Sequence, residues 1–325
     1  MIQKKDDFCQ YTGSKLQEEK FQNHKLMNNN MIFKLENCGY SKESELVKYC
    51  GSSLTFSNQQ HLQTQDRRLK LKKADFCKFR FCSTCNWRRN MNINRELLEA
   101  FKSIEATRRV SYLFLTLTIA NSQTEDLKST VALMNDAFKR MSKTKSYKDT
   151  ILGHFKALEI VGDKTKYGEV HPHFHIILIV PDSYFKSPKY IHTEQWVEMW
   201  KKALRIDYSP IVHIQKIKAK RTSKGKKLSA LQSAVFEVAK YSVKHSILTD
   251  KSEKEFSQII NQTKGMRFFS TGGLLKEKLN LIKCDEELIN FKEETELLWK
   301  EIEELVFEWK NGDYFLRSTM QIEEK

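Results

Sequence analysis

Apolar side chains recur along this chain with two different periods. YLFLTLTI (112–119) alternates large apolar residues with threonine, which predicts a strand. HFKALEIV (154–161), HFHIILIV (173–180) and IVHIQKIK (211–218) read as further strands. The intervening GDKTKYGEVHP reads as a turn or short loop, so the segments 154–161 and 173–180 are expected to form an antiparallel hairpin. Helical spacing governs other stretches. Residues 124–143 carry apolar side chains at 127, 131, 134 and 138, behind Thr124 and Asp126 as a capping pair. Segments 91–106, 193–204 and 228–247 also read as helices. Residues 284–310 predict an acidic amphipathic helix with apolar positions 288, 291, 298, 302, 305 and 309, docked on its own body or used for oligomerisation. Residues 1–40 show no sustained period and are expected to be a flexible arm.

Composition narrows the class. A chain of 325 residues with 40% hydrophobic and 11% aromatic content can bury a sizeable core, which excludes wholesale disorder. No apolar run is long enough for a membrane span and no apolar leader follows Met1, so the expectation is a cytoplasmic protein without membrane partners. The net charge is +15, and it is uneven. Residues 281–325 hold 6 basic and 13 acidic side chains, so the first 280 hold 50 against 28. A body this basic suits a polyanion. Seven cysteines in such a chain argue against a disulfide framework.

Three clusters carry candidate chemistry. In a strand, His173 and His175 share one face, and two imidazoles there can converge on a divalent ion. Glu159, on the preceding strand, is an acid inside an apolar run and the expected third ligand, with Glu169 and His171 as competitors. Such a set suits Mn²⁺ or Mg²⁺ with coordination positions left open for phosphate oxygens. Glu237, Tyr241 and Lys244 fall on one helical stripe. With a metal nearby, Tyr241 can act as a nucleophile on a phosphodiester, Lys244 can stabilise the developing charge and Glu237 can handle protons. KIKAKRTSKGKK (216–227) has seven basic residues and no acid. Its Lys218, Lys220, Arg221 and Lys224, with Lys240 of the helix, are candidate phosphate contacts. Cys50, Cys77, Cys82 and Cys85 have spacing that can close on a tetrahedral Zn²⁺, with Cys38 as a spare. Arg80, Arg88 and Arg89 interleave with Trp87 beside them, as a DNA contact would.

Taken together these residues resemble the HUH endonucleases, and within them the rolling-circle replication initiators of small bacterial plasmids that use a single catalytic Tyr with a Glu. FLTLT (114–118) resembles the first motif, HPHFHIIL (171–178) the metal-binding second and EVAKYSVK (237–244) the third. CGSSLTF…ADFCKFRFCSTCNWRR (50–89) resembles the cysteine-rich N-terminal region of that branch. The resemblance implies an α+β fold with a central antiparallel sheet flanked by helices. The domains then read as an arm (1–40), a zinc- and DNA-binding module (41–90), the endonuclease domain (91–250) and a helical C-terminal region (251–325). It also implies strand-specific nicking of plasmid origin DNA that is single-stranded at the nick site, a 5′-phosphotyrosine on Tyr241, and termination by water activated by Glu237. A host helicase and a DNA polymerase are the implied partners. Mobilisation relaxases and single-strand transposases share the chemistry without the cysteine module or the Glu-x3-Tyr spacing. A zinc-dependent DNA-binding regulator without enzymatic activity explains the charge and cysteines but leaves the His-x-His strand unused. A metal oxygenase has no use for the basic body.

Overall fold

The computed structural model describes residues 15–160, 165–221, 227–229, 231–233, 235, 248–279, 287–289 and 298–322. The chain divides into two compact units, Met1–Asn92 with Asp285–Lys325, and Ile93–Cys284. Among the described residues no helix is long and apolar enough to cross a membrane.

The first unit opens with helices α1 (Lys15–Asn37) and α2 (Ser41–Tyr49), then an antiparallel pair, β1 (Ser53–His61) and β2 (Arg67–Ala74). Helix α3 (Ser83–Glu105) follows the cysteine segment; its residues from Ile93 on belong to the second unit. α1 corrects the expectation of a flexible arm over 15–37. Its Phe21, Met31 and Leu35 are buried, but so are Lys25 and Asn28, on the same face. Polar residues at buried positions hide the helical period from a hydropathy pattern.

The second unit is built on strands β3 (Val110–Thr118), β5 (Gly153–Glu159), β7 (His173–Pro181), β8 (Val212–Lys216) and β11 (Phe269–Gly273), with the two-residue ladders β4 (Ser122–Gln123) to β6 (Glu169–Val170) and β9 (Lys220–Arg221) to β10 (Lys227–Leu228). Its further helices are α4 (Leu127–Met141), α5 (Lys145–Thr150), α6 (Thr193–Leu204), α7 (Glu253–Thr263) and α8 (Leu274–Lys278). The main sheet has the order β11-β5-β7-β3-β8, antiparallel throughout, so the architecture is α+β with helices flanking antiparallel sheets. The strand of the two histidines lies at its centre, and the expected hairpin pairing of β5 with β7 is present.

The side-chain period of two sorts the sheet into two layers. On one face Tyr112, Phe114, Phe155, Ile177 and Ile179 join a core with Leu97, Phe101 and Ile104 of α3. On the other face Phe174 sits 6.3 Å from Phe138 of α4 and 6.5 Å from Trp200 of α6, ring centre to ring centre. Both tryptophans of α6 are fully buried. Gly272 and Gly273 admit the edge strand β11. A Cβ at Gly272 would lie 2.2 Å from the His154 ring, and Gly273 has φ +58°.

The chain then returns to the first unit as β12 (Trp299–Lys310) and β13 (Asp313–Gln321). These complete a four-stranded sheet, β13-β12-β1-β2. The expected acidic helix over 284–310 is therefore corrected for 299–310, which pairs with β1 from Ser53↔Glu308 to His61↔Trp299. Leu305 and Phe307 enter a core with Phe21, Leu54, Phe56, Leu69, Leu71 and Tyr314. Acids on this strand face the basic β2: Lys72 pairs with both Glu301 and Glu304. Asn311 (φ +51°) and Gly312 (φ +83°) form the hairpin turn. Asn-Gly between runs rich in aromatic and β-branched residues is the sequence feature that marks it.

Candidate metal centres and catalytic site

Register alone assembles the first cluster. On β5 Glu159 is paired with His173, and Ala157 with His175; on β3 the partners are Thr118 and Thr116. Paired residues share a face, so Glu159, His173 and His175 project together. The Glu159 Oε2 lies 3.4 Å from His173 Nε2 and 3.2 Å from His175 Nε2. All three residues are buried, and their donor atoms lie within 4.8 Å of one another. Ligands about 2.1 Å from one ion are themselves about 3 Å apart, so this donor set fits a divalent cation. Glu169 and His171 stand outside the group, with Glu169 accepting from Asn121 and His171 Nδ1 within 2.7 Å of Asn121 Oδ1.

Second contacts orient the ligands. The ring Nδ1 of His173 donates to the His171 carbonyl at 2.8 Å, which turns Nε2 toward the Glu159 carboxylate. His175 Nδ1 meets Thr116 Oγ1 at 3.3 Å, and the Phe114 ring stacks on the imidazole at 5.4 Å and 23°. Phe114 and Thr116 are the first and third residues of FLTLT, so alternate positions of that motif grip one ligand. Burial pushes the Glu159 carboxyl up, but hydrogen bonds and charge from the two imidazoles outweigh it and hold the pKa at about 2. The group is thus a carboxylate at any physiological pH.

Glu237, Lys240, Tyr241 and Lys244 lie outside the described residues, as does Lys224. Leu231, Ser233 and Val235, in the first half of the helix predicted over 228–247, are buried. Leu231 and Val235 share the core of Phe114, Phe155 and Ile177, on the sheet face that carries the three ligands. Lys218 is exposed, and Lys220 and Arg221 form β9.

The second cluster lies in the first unit. Cys50 Sγ is 3.4 Å from Cys85 Sγ and 3.6 Å from Cys82 Sγ, and Cys77 is 3.6 Å from Cys85. These gaps exclude disulfides, whose sulfurs stand about 2.05 Å apart. They approach the edge of about 3.8 Å expected for thiolates 2.3 Å from a tetrahedral zinc. Donating their S–H groups to neighbouring sulfurs raises the thiol pKa of Cys50 and of Cys85. In Cys82 burial pushes upward, but donation from the other three lowers the pKa well below that of a free thiol. Cys38 stands apart from the four.

The arginines beside the cysteines divide. Arg88 and Arg89 are 4% and 2% exposed; Arg88 Nε donates to the Leu288 carbonyl and Arg89 to that of Lys78. Their burial corrects the expectation that they contact DNA. Arg80 is half-buried. Sequence reasoning also missed Lys25 and Asn28 of α1, which no motif marks. Lys25 Nζ donates to the carbonyls of Lys48 and Cys50, and Asn28 Nδ2 reaches Cys82 Sγ. Burial lowers the Lys25 pKa, while the four cysteines pull it upward.

The family model described as "Replication protein" matches residues 68–315. The chain is 33% identical over 302 residues to "Protein rep" of Lentilactobacillus hilgardii, covering 87% of this chain and 93% of that protein. It is 32% identical to "Protein rep" of Bacillus amyloliquefaciens, covering 86% of each, and 32% identical to that of Lactiplantibacillus plantarum, covering 87% and 93%. No solved structure matches. A motif order, a central His-x-His strand and relatives spanning nearly the whole length agree: the chain belongs to the replication-protein family.

Proposed function

We propose that this protein initiates rolling-circle replication of a plasmid by nicking one strand of the origin. The observation that carries the reading is the buried convergence of Glu159, His173 and His175 on the sheet face that also buries Leu231 and Val235, a few residues before Tyr241. A Mn²⁺ or Mg²⁺ ion held by the three would polarise a non-bridging phosphate oxygen of single-stranded DNA. The Tyr241 phenol oxygen attacks phosphorus, and its proton passes through solvent to the departing O3′. The P–O3′ bond breaks, leaving a 5′-phosphotyrosine and a 3′-hydroxyl that a polymerase extends. Lys244 offsets the charge that builds on the phosphate. After one round Glu237 takes a proton from water, which displaces the tyrosine and ends the cycle. The four cysteines hold a structural zinc, and Arg80, Lys218, Lys220, Arg221, Lys224 and Lys240 serve the DNA backbone. No Gly-x4-Gly-Lys-Ser/Thr loop is present, so a host helicase supplies unwinding.

The test uses supercoiled DNA carrying this gene and its flanks, with Mn²⁺ or EDTA. Wild type is expected to give a nicked product only with the metal, and Tyr241→Phe none. Glu237→Gln is expected to nick but to accumulate multimeric product. Binding without nicking by wild type would support the zinc-dependent regulator instead. Normal termination by Glu237→Gln would remove Glu237 from its role.

A further inference from the structure

Helix α1 places Phe21, Lys25, Asn28, Met31 and Leu35 on one buried face, at helical spacing. Two of these are polar, and both contact the cysteine cluster. Asn28 is fully buried. Its Nδ2 lies 3.4 Å from Cys82 Sγ and 3.2 Å from Thr84 Oγ1, while its Oδ1 accepts from the Ser83 amide at 2.7 Å. The same side chain therefore donates to one ligand sulfur and caps the first turn of α3, which carries Cys85.

Lys25 is 4% exposed. Its three N–H bonds are used, by the carbonyls of Lys48 at 2.6 Å and Cys50 at 2.7 Å and by Ser52 Oγ at 3.0 Å. That pattern needs the ammonium form, since a neutral amine has two donors. Among the described residues no carboxylate pairs with it. A buried cation without an anion is costly. The anion is supplied if the four cysteines bind a dication as thiolates, because that centre carries a net charge of about −2.

We infer that Lys25 and Asn28 are the outer sphere of the tetrathiolate centre, Lys25 offsetting its charge and Asn28 donating an N–H···S bond to Cys82, so that zinc and helix α1 hold each other in place. This rests on the zinc reading of the four cysteines. Neither residue touches the metal; both are positioning residues. Outer-sphere partners of this kind typically change metal affinity by about 10- to 100-fold.

The experiment uses the full chain purified with zinc. Metal content is measured by elemental analysis, and release by transfer to the chromophore 4-(2-pyridylazo)resorcinol. After exchange of the Glu159–His173–His175 site with excess Mn²⁺, wild type is expected to hold one zinc per chain. Lys25→Met and Asn28→Ala are expected to release it about ten-fold faster, and Lys20→Met, on the exposed side of α1, at the wild-type rate. With Co²⁺ in place of zinc, Asn28→Ala is expected to move the thiolate charge-transfer band to longer wavelength at undiminished intensity. A purely structural asparagine would leave the band in place. In wild type alone, chelation is expected to raise hydrogen exchange across residues 19–35. Wild type without metal overturns the zinc reading itself. Wild type with zinc, but with unchanged release and band position in both variants, overturns the outer-sphere assignment alone. So does α1 protection that survives chelation, even if the variants fail to fold.

Discussion

Glu159 shows how one position acquires its chemistry from its neighbours. A carboxylate in an apolar strand is expensive, and here two imidazoles across the ladder offset the cost and hold it ionised down to about pH 2. Glu159→Gln is expected to abolish Mn²⁺-dependent nicking while leaving the far-ultraviolet circular dichroism unchanged. Full nicking by that variant would place the ion elsewhere. Thr116 acts one step further out, through His175 Nδ1. Thr116→Val is expected to weaken Mn²⁺ binding about ten-fold by titration calorimetry, and Thr116→Ser to retain it. Equal affinity in both would mean that the hydroxyl contact is incidental. Glu159, His173 and His175 were legible in the sequence because a strand's period is two and a short connection fixes which strands pair. Lys25 and Asn28 were illegible, since nothing local distinguishes a buried lysine from a solvated one.

Elements were legible where the pattern and the contacts are local. β3, β5, β7 and α6 read directly from alternation or from the 3.6 period. The order β11-β5-β7-β3-β8 did not, because β11 reaches β5 from far along the chain. Residues 299–310 satisfy a helical period at 302, 305 and 309, yet β1 offers a ladder and Asn311-Gly312 a turn. Phe307 anchors that strand, and Phe307→Ala is expected to cost about 3–5 kcal/mol in chemical denaturation. A loss below about 1 kcal/mol would contradict the packing. Lys156, on the opposite sheet face from the ligands, sits 3.9 Å above the Phe174 ring and is bonded to Asn135. Burial lowers its pKa to about 8. An unfolded lysine titrates near 10.4, so the unfolded chain binds more protons between these values, and stability rises with pH across the window. The cost is fully present below pH 8. Lys156→Met is expected to raise the melting temperature by a few degrees at pH 7 and to flatten that rise. A lower melting temperature would show that the Asn135 and ring contacts outweigh burial.

At the scale of the whole molecule, charge and the candidate metal-binding clusters divide between the two units. One holds the cysteine cluster and an acidic strand facing a basic one; the other holds the His-Glu cluster and the basic segment 216–221. The net charge alone indicates a polyanionic partner but not the chemistry done to it. The nicking proposed here requires Tyr241 as its nucleophile, and a direct measurement is available. The protein is incubated with Mn²⁺ and single-stranded origin oligonucleotide, the covalent product is digested with protease and nuclease, and the nucleotide-bearing peptide is sequenced by mass spectrometry. A single modified peptide is expected, with the nucleotide 5′-phosphate on Tyr241 and none formed in EDTA. A nucleotide on any other residue, or a metal-independent adduct, would contradict this mechanism.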